Sequence, residues 1–67
     1  MSNVLKVIEV LAESEKSWED AAREAVERAA KTLTNIRSIY IENFEAKVEK
    51  NKITRYRVNA KVTFLLD

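Results

Sequence analysis

The chain has 67 residues and a net charge of +1, from 12 basic and 11 acidic side chains, and it contains no Cys, His, Gly or Pro. Without Cys and His it has no disulfides, no thiolate metal site and not the commonest zinc ligand. Without Gly it has no P-loop, Rossmann fingerprint or nucleophile elbow. A chain this short buries only about 60% of its unfolded surface and is marginal alone. We therefore expect it to oligomerise.

The balanced charge also argues against a nucleic-acid or membrane partner. No apolar run approaches the roughly 20 residues that cross a bilayer. The sequence Met1-Ser2-Asn3 lacks the features of a signal peptide, so the expected location is cytoplasmic.

The first half of the chain predicts a strand followed by a helix. Val4 to Leu11 is rich in Val, Leu and Ile, which indicates a strand buried on both sides. Ser17 is a candidate N-cap, and an apolar stripe that begins at Trp18 predicts a helix from Ser17 to about Leu33. The other helix face carries pairs four residues apart in the favoured order, Glu19–Arg23, Glu24–Arg28 and Glu27–Lys31.

The second half predicts a long hairpin. Ser38 to Val48 and Ile53 to Leu66 alternate as strands, and Asn51 is best suited to positive φ in the turn between them. Alternation places one set of the second strand towards the helix: Tyr40, Phe44, Ala46 and Val48. The other set points away: Ile39, Ile41, Asn43, Glu45 and Lys47. In the third strand, the set that includes Tyr56 and Val58 should pack on the helix.

The order β-α-β-β predicts an α+β fold with one helix on a three-stranded sheet, as a single domain over residues 1–67. The sheet face away from the helix is expected to carry Ile39, Ile41, Ile53 and Leu65 among charged residues. It is either a solvated face with ion pairs, such as Glu45 with Arg55 or Arg57, or an interface or ligand surface. Long strands with bare edges also favour pairing between chains.

The whole chain resembles the dodecin family. The resemblance rests on Lys6-Val7-Ile8-Glu9-Val10, on Ser17-Trp18-Glu19-Asp20-Ala21-Ala22 in the helix, and on the terminal Val58-Asn59-Ala60-Lys61-Val62-Thr63-Phe64. It implies a three-stranded antiparallel sheet that wraps one helix and subunits that assemble into a hollow homododecamer. It implies a non-enzymatic protein that binds, stores or sequesters a small ligand.

Two ligands follow from that resemblance. Flavin-binding dodecins (FMN or riboflavin) carry a Trp that aligns with Ser38 and a Gln that aligns with Arg57, so the usual flavin site is altered. Ser38 has no π face for stacking. The helix start and Ile36-Arg37 resemble a second branch, for which calcium binding is proposed. The implied cofactor positions are Ser38, Arg57 and Arg37.

Calcium needs six to eight oxygen ligands, and this chain has no EF-hand spacing. Acidic residues that meet across an assembly axis are the alternative. Glu42 and Glu45 are the candidate metal ligands, with Glu49 and Asp67 as weaker ones.

Two other function classes stay open. A nucleic-acid-binding module would use Lys47, Arg55, Arg57 and Lys61 as a basic stripe. Glutamates interrupt that stripe, however, and both tyrosines are expected to face the helix. An enzyme would need a grouping of acid–base residues that the sequence does not single out.

Overall fold

The structure is a computed structural model, and it describes residues 3–66. The elements are β1 (Leu5–Ser14), α1 (Trp18–Ala29), β2 (Ile36–Glu49) and β3 (Lys52–Leu65). The predicted β-α-β-β order is therefore confirmed. The three strands form one antiparallel sheet in the order β1-β3-β2, so the last strand lies in the middle. Between residues 3 and 66, no helix is both long and apolar enough to cross a membrane.

Two element boundaries differ from the sequence prediction by three or more residues. The first strand continues past Leu11 because Ala12, Glu13 and Ser14 keep pairing with β3. The helix ends at Ala29 instead of about Leu33. The last turn tightens, with Lys31 N donating to Arg28 O at 3.1 Å, and Asn35 then adopts a φ of 59°. The β-branched and polar residues Thr32, Thr34 and Asn35 favour this early end.

A hydrogen-bonded junction joins β1 to the helix start. Ser17 is the N-cap as predicted, and its Oγ accepts from Asp20 N at 3.0 Å. The buried Ser14 hydroxyl donates to Asp20 Oδ2 at 2.7 Å and accepts from Lys16 N at 2.9 Å. These bonds satisfy orphan groups at the helix start and fix the direction in which the helix leaves the strand.

Small side chains let the helix lie close to the sheet. Ala21 and Ala25 are the buried residues of α1. On the central strand, Val58, Ala60 and Val62 are fully buried, and Phe64 is nearly so. The core is consequently one thin layer between a single helix and one sheet face.

Aromatic side chains anchor the helix start to the hairpin. The indole Nε1 of Trp18 donates to Glu45 O at 2.8 Å. The Trp18 ring lies edge-to-face with Tyr56 at 4.9 Å and with Phe44 at 5.8 Å between centroids. Phe44 and Tyr56 thus lie on the helix side of the sheet, as their alternation predicts.

Because β2 contains a bulge, the residues in its first half lie on the faces of the sheet opposite to those predicted. Ile39 and Ile41 pair with the buried residues Val62 and Ala60, so they lie on the helix side, whereas Tyr40 pairs with Lys61 and points away. The register then shifts between Ile41 and Asn43. The extra residue, Glu42, reverses the alternation, which is why strict period-two counting is correct only after this position. The prediction that both tyrosines face the helix is wrong for Tyr40. The outward placement of Ile53 is wrong as well, because the register shift between Lys47 and Val48 sets Ile53 opposite Val48, on the helix side.

The hairpin turn uses left-handed backbone without glycine. Asn51 has a φ of 67°, as expected, and its neighbour Lys50 has a φ of 51°. Asn tolerates this region better than most residues, whereas a Lys there is uncommon.

The folded chain is long and thin. Its principal extents are 53 × 20 × 13 Å and its radius of gyration is 13.8 Å. A compact domain of this length would have a radius of gyration of about 11 Å. Large apolar side chains stay exposed on such a shape, among them Tyr40 and Phe44. The prediction that the first strand is buried on both sides is wrong for the single chain, because Leu5, Val7 and Leu11 are also exposed.

Candidate ligand-binding face

The outer face, defined as the side of the sheet away from α1, has an ion-pair row across all three strands. Arg57 of β3 lies opposite Glu13 of β1 and Glu45 of β2. Its Nη2 and Nε donate to the same oxygen of Glu13, at 2.6 and 2.9 Å, and its Nη1 lies 3.5 Å from Glu45 Oε1. Of the two pairs named for a solvated face, Glu45 with Arg55 or Arg57, the structure contains Glu45–Arg57, whereas Arg55 lies 3.6 Å from Glu15. The guanidinium donors are thus turned towards two carboxylates of the same chain.

The ion-pair row shifts the pKa values of Glu13 and Arg57. The hydrogen bond from Arg57 lowers the pKa of the Glu13 carboxyl below its usual value. The same bond, followed by the charge of Glu13, raises the pKa of Arg57. Both groups stay ionised at neutral pH, because each stabilises the charged form of the other.

A second ion pair lies four residues further along β3. Lys61 Nζ is 3.0 Å from Glu42 Oε1, and this hydrogen bond raises the pKa of Lys61. Glu42 is the bulge residue, so the bulge turns its carboxylate towards Lys61. Between the two ion pairs lies Asn59, whose Oδ1 is buried and has no hydrogen-bond partner among residues 3–66.

The candidate cofactor residues do not meet within one chain. Ser38 is exposed and pairs with Thr63, which lies six residues from Arg57 along β3. At about 3.3 Å per residue, that separation is about 20 Å. Arg37 is exposed at the irregularity between Ile36 and Ser38. A ligand that touches both Ser38 and Arg57 would therefore need surfaces from more than one chain.

The candidate metal ligands do not meet within one chain either. Glu42 and Glu45 are paired with Lys61 and Arg57, and Glu49 lies 3.8 Å from Lys47. Within residues 3–66 no three Asp or Glu side chains gather in a way that could hold a metal ion. Asp67 lies outside the described residues. One chain alone does not fit a calcium ion, whose six to eight oxygens would have to come from several chains.

Comparison with known proteins agrees with this fold. The family profile of dodecins matches residues 4–67. The calcium dodecin of Mycobacterium tuberculosis is 43% identical over 63 residues, which cover 92% of this chain and 87% of that protein. Both shares are high, so the likeness extends over nearly the whole length of each protein.

Solved structures give the same result. A crystal structure of the Mycobacterium tuberculosis calcium dodecin, described as having a novel calcium-binding site, has a TM-score of 0.83 at 37% identity, covering 96% of this chain and 91% of that one. Dodecin from Streptomyces coelicolor has a TM-score of 0.93 at 26% identity, covering 97% and 93%. The chain therefore belongs to the dodecin family.

Reasoning from the sequence does not identify Glu13 and Tyr40 as members of the outer face. The sequence predicts a strand only as far as Leu11, which leaves Glu13 outside it. One feature of the sequence does indicate a longer strand. Ala12 and Ser14 continue the helix-facing alternation of Ile8 and Val10. Tyr40 was placed on the wrong face because nothing in the sequence marks the bulge at Glu42.

Proposed function

We propose that this chain is the subunit of a non-enzymatic, homododecameric shell that binds and sequesters a small ligand. One observation carries the proposal: the subunit is a 13 Å thin slab with large apolar side chains exposed, including Leu11 at 68% and Tyr40 at 64%. A slab of this kind cannot bury its apolar surface alone, and exposed apolar patches mark interaction sites.

Native mass spectrometry tests the assembly. The protein is purified without a chelator and sprayed from a volatile buffer at micromolar concentration. The expected result is a species of twelve subunits. A protein that is monomeric under these conditions would overturn the proposed function.

Calcium is the ligand that we propose for the shell. The support is the 43% identity to a protein named calcium dodecin, together with carboxylates on the outer face. Glu42 and Glu45 are the proposed contributors, and carboxylates of neighbouring chains would complete the oxygen set. To bind calcium, the carboxylate of Glu42 would have to release Lys61, and that of Glu45 would have to release Arg57.

A calcium titration of the assembled protein tests the ligand. The Glu42→Gln/Glu45→Gln double variant should lose calcium binding in calorimetry, while Glu19→Gln/Glu27→Gln, with the same charge change on the exposed helix face, should keep it. Equal calcium affinity in both double variants would contradict the assignment of these residues.

A flavin remains the second candidate because Tyr40 lies on the outer face near Ser38. Both residues pair with outward positions of β3, at Lys61 and Thr63, so an exposed aromatic ring lies on the same face as Ser38. Arg37 at the adjacent irregularity and Arg57 would supply donors to such a ligand. Riboflavin or FMN fluorescence that does not change on titration with the assembled protein would remove this candidate.

A further inference from the structure

We propose that neighbouring subunits meet head to tail, with the tip of the β2–β3 hairpin of one copy seated in the groove between α1 and β1 of the next. This inference rests on the proposed homo-oligomeric assembly and names one of its contacts. It concerns two other surfaces, although Glu13 of the outer-face ion-pair row also lines one of them.

The first surface is the hairpin patch: Phe44, Val48 and Ile53. Val48 follows the outward Lys47, so it lies on the helix side, and Ile53 is opposite to it. These three side chains are 61%, 59% and 53% exposed. They are exposed because the 12-residue helix is about 18 Å long, whereas the 14-residue strands run about 46 Å and continue past its N-terminus.

The second surface is a groove of about 520 Å³ between the helix and the edge strand. Its apolar wall comes from both elements: Ile8, Val10, Leu11, Ala25, Ala29 and Leu33. Charged residues at the groove are Glu13, Glu24 and Arg28. A groove of this volume can accept a few apolar side chains, and the hairpin patch presents three.

The charges around the two surfaces are complementary. Residues 13–27, next to the groove, contain six acidic and two basic side chains, and three of the acidic ones already form ion pairs within the chain: Glu13, Glu15 and Glu19. Residues 47–55, which form the hairpin tip, contain four basic and one acidic side chain. Glu24 at the groove makes no ion pair with any residue between 3 and 66, and the same holds for Lys50 and Lys52 at the tip.

The absence of an intrachain partner for Glu24 was not expected. The sequence predicts Glu24–Arg28 and Glu27–Lys31 pairs on the helix, but only Glu19–Arg23 forms there among the described residues, at 3.0 Å. Glu24 is thus available to a cation from outside the chain. Attraction between Glu24 at the groove and Lys50 and Lys52 at the hairpin tip favours this orientation, whereas two basic tips repel each other.

The two surfaces lie at different places on one molecule, so the contact is heterologous. Each copy offers one hairpin patch and one groove, and a chain of such contacts closes into a ring when the rotation between copies permits. A closed ring leaves neither surface exposed.

Complementation between two variants tests the contact. Val48→Asp inactivates the hairpin patch, and Ala29→Arg fills the groove from the last residue of the helix. Each variant alone should lose the ring and the twelve-subunit species in native mass spectrometry. An equimolar mixture should regain a mixed pair with one chain of each variant, because the groove of Val48→Asp accepts the hairpin of Ala29→Arg. The mixed pair is expected to exceed either self-pair at least tenfold.

Matched controls separate this contact from general damage. Ala30→Arg adds the same side chain one residue further on, outside the groove lining, and Val48→Leu keeps the patch apolar. Both should assemble as the unaltered protein does. If circular dichroism shows that a test variant is unfolded, Ile53→Asp and Leu33→Arg replace the pair.

The outcomes also separate this proposal from the assembly itself. A monomeric unaltered protein would overturn the shell. An assembled unaltered protein, with variants that still assemble or with a mixture that yields no mixed pair, would overturn only the head-to-tail contact.

Discussion

At the residue scale, Arg57 illustrates how neighbours decide what a side chain can do. Taken alone in the sequence, an outward arginine is a candidate ligand contact. In the fold it is held by Glu13 and approached by Glu45, so its donors are engaged. In the pair with Glu13, two guanidinium nitrogens of Arg57 donate to one carboxylate oxygen. The Arg57 and Glu13 side chains are only 38% and 36% exposed. A ligand that uses Arg57 must first replace a carboxylate.

The first prediction concerns pH and Glu13. Arg57 lowers the pKa of Glu13 in the folded chain, so the stability that this pair contributes is present above the usual glutamate pKa of 4.5 and is lost as pH falls through the lowered value. We expect the melting temperature of Glu13→Gln to lie below that of the unaltered protein at neutral pH and to converge with it in acid. Thermal unfolding followed by circular dichroism across this range measures the difference.

Glu27→Gln is the matched control for that experiment. Glu27 makes no ion pair within residues 3–66, so its neutralisation should change the melting temperature less at neutral pH. A Glu13→Gln effect of constant size at every pH would contradict the role of the ion pair.

The second prediction concerns Trp18. Replacing it with Phe keeps an aromatic ring beside Tyr56 but removes the hydrogen bond to Glu45 O. We expect a loss of about 1 kcal/mol in the free energy of unfolding, as for one net hydrogen bond. Urea unfolding followed by circular dichroism measures it. Tyr40→Phe, whose ring lies on the outer face, should change the value by less than Trp18→Phe does.

At the element scale, the bulge in β2 decides which residues the core receives. It gives Ile39 and Ile41 to the helix side and turns Tyr40 outward. Without it, the first half of β2 would present Tyr40 to the helix and two isoleucines to the outer face. One additional residue, Glu42, is responsible for the difference, and it also brings a carboxylate to Lys61.

The third prediction distinguishes these two registers. Ile41→Ala should destabilise the fold by about 2 kcal/mol, the lower end for truncation of a buried isoleucine, because Ile41 is only half-buried. Tyr40→Ala should cost less, about 0.5 kcal/mol in the unfolding of the chain, since its ring is mostly exposed. If β2 alternated strictly, Tyr40→Ala would destabilise the fold more than Ile41→Ala. Urea unfolding of both variants at one protein concentration decides between them.

The same element shows what could be predicted from the sequence and what could not. The element order, the N-cap at Ser17 and the alternation of β3 from Tyr56 to Phe64 follow from local chemistry, because period and capping are properties of neighbouring residues. The bulge does not, because it depends on how β2 pairs with β3, and no Gly or Pro marks it. The length of β1 was missed for the same reason: Ala12 and Glu13 are strand residues through their pairing with β3.

The candidate site was predicted only in part. Ser38, Arg37, Arg57, Glu42 and Glu45 were selected by resemblance, and the fold spreads them along the sheet instead of gathering them in one chain. Whether they meet depends on the relation between copies, which the sequence of one subunit does not contain. The ion pairs that involve Glu42, Glu45 and Arg57 depend on register and so became visible only in three dimensions.

At the scale of the whole molecule, the shape determines the stability. Among residues 3–66, the core of the 13 Å slab comprises six buried apolar side chains, five of which are the small Ala or Val. A core of this size is marginal on its own, and assembly must add the missing burial. Folding and association are then linked.

The fourth prediction follows from that linkage. Because assembly stabilises the folded chain by mass action, the melting temperature should rise with total protein concentration. Differential scanning calorimetry over a hundredfold dilution series measures the trend. Val48→Asp, which removes the proposed head-to-tail contact, should flatten it, and a concentration-independent transition in the unaltered protein would argue for a self-sufficient monomer.

The two edges of the sheet are unlike each other. β1 pairs with β3 in unbroken register over ten residues, whereas the register of β2 against β3 shifts three times. Bulges and irregular pairing blunt an edge, while a long regular one is a template for further strands. A subunit left without its neighbours therefore has one direction in which strand-by-strand aggregation can start. Rapid assembly would protect the chain during synthesis by hiding this edge before another unfinished chain reaches it.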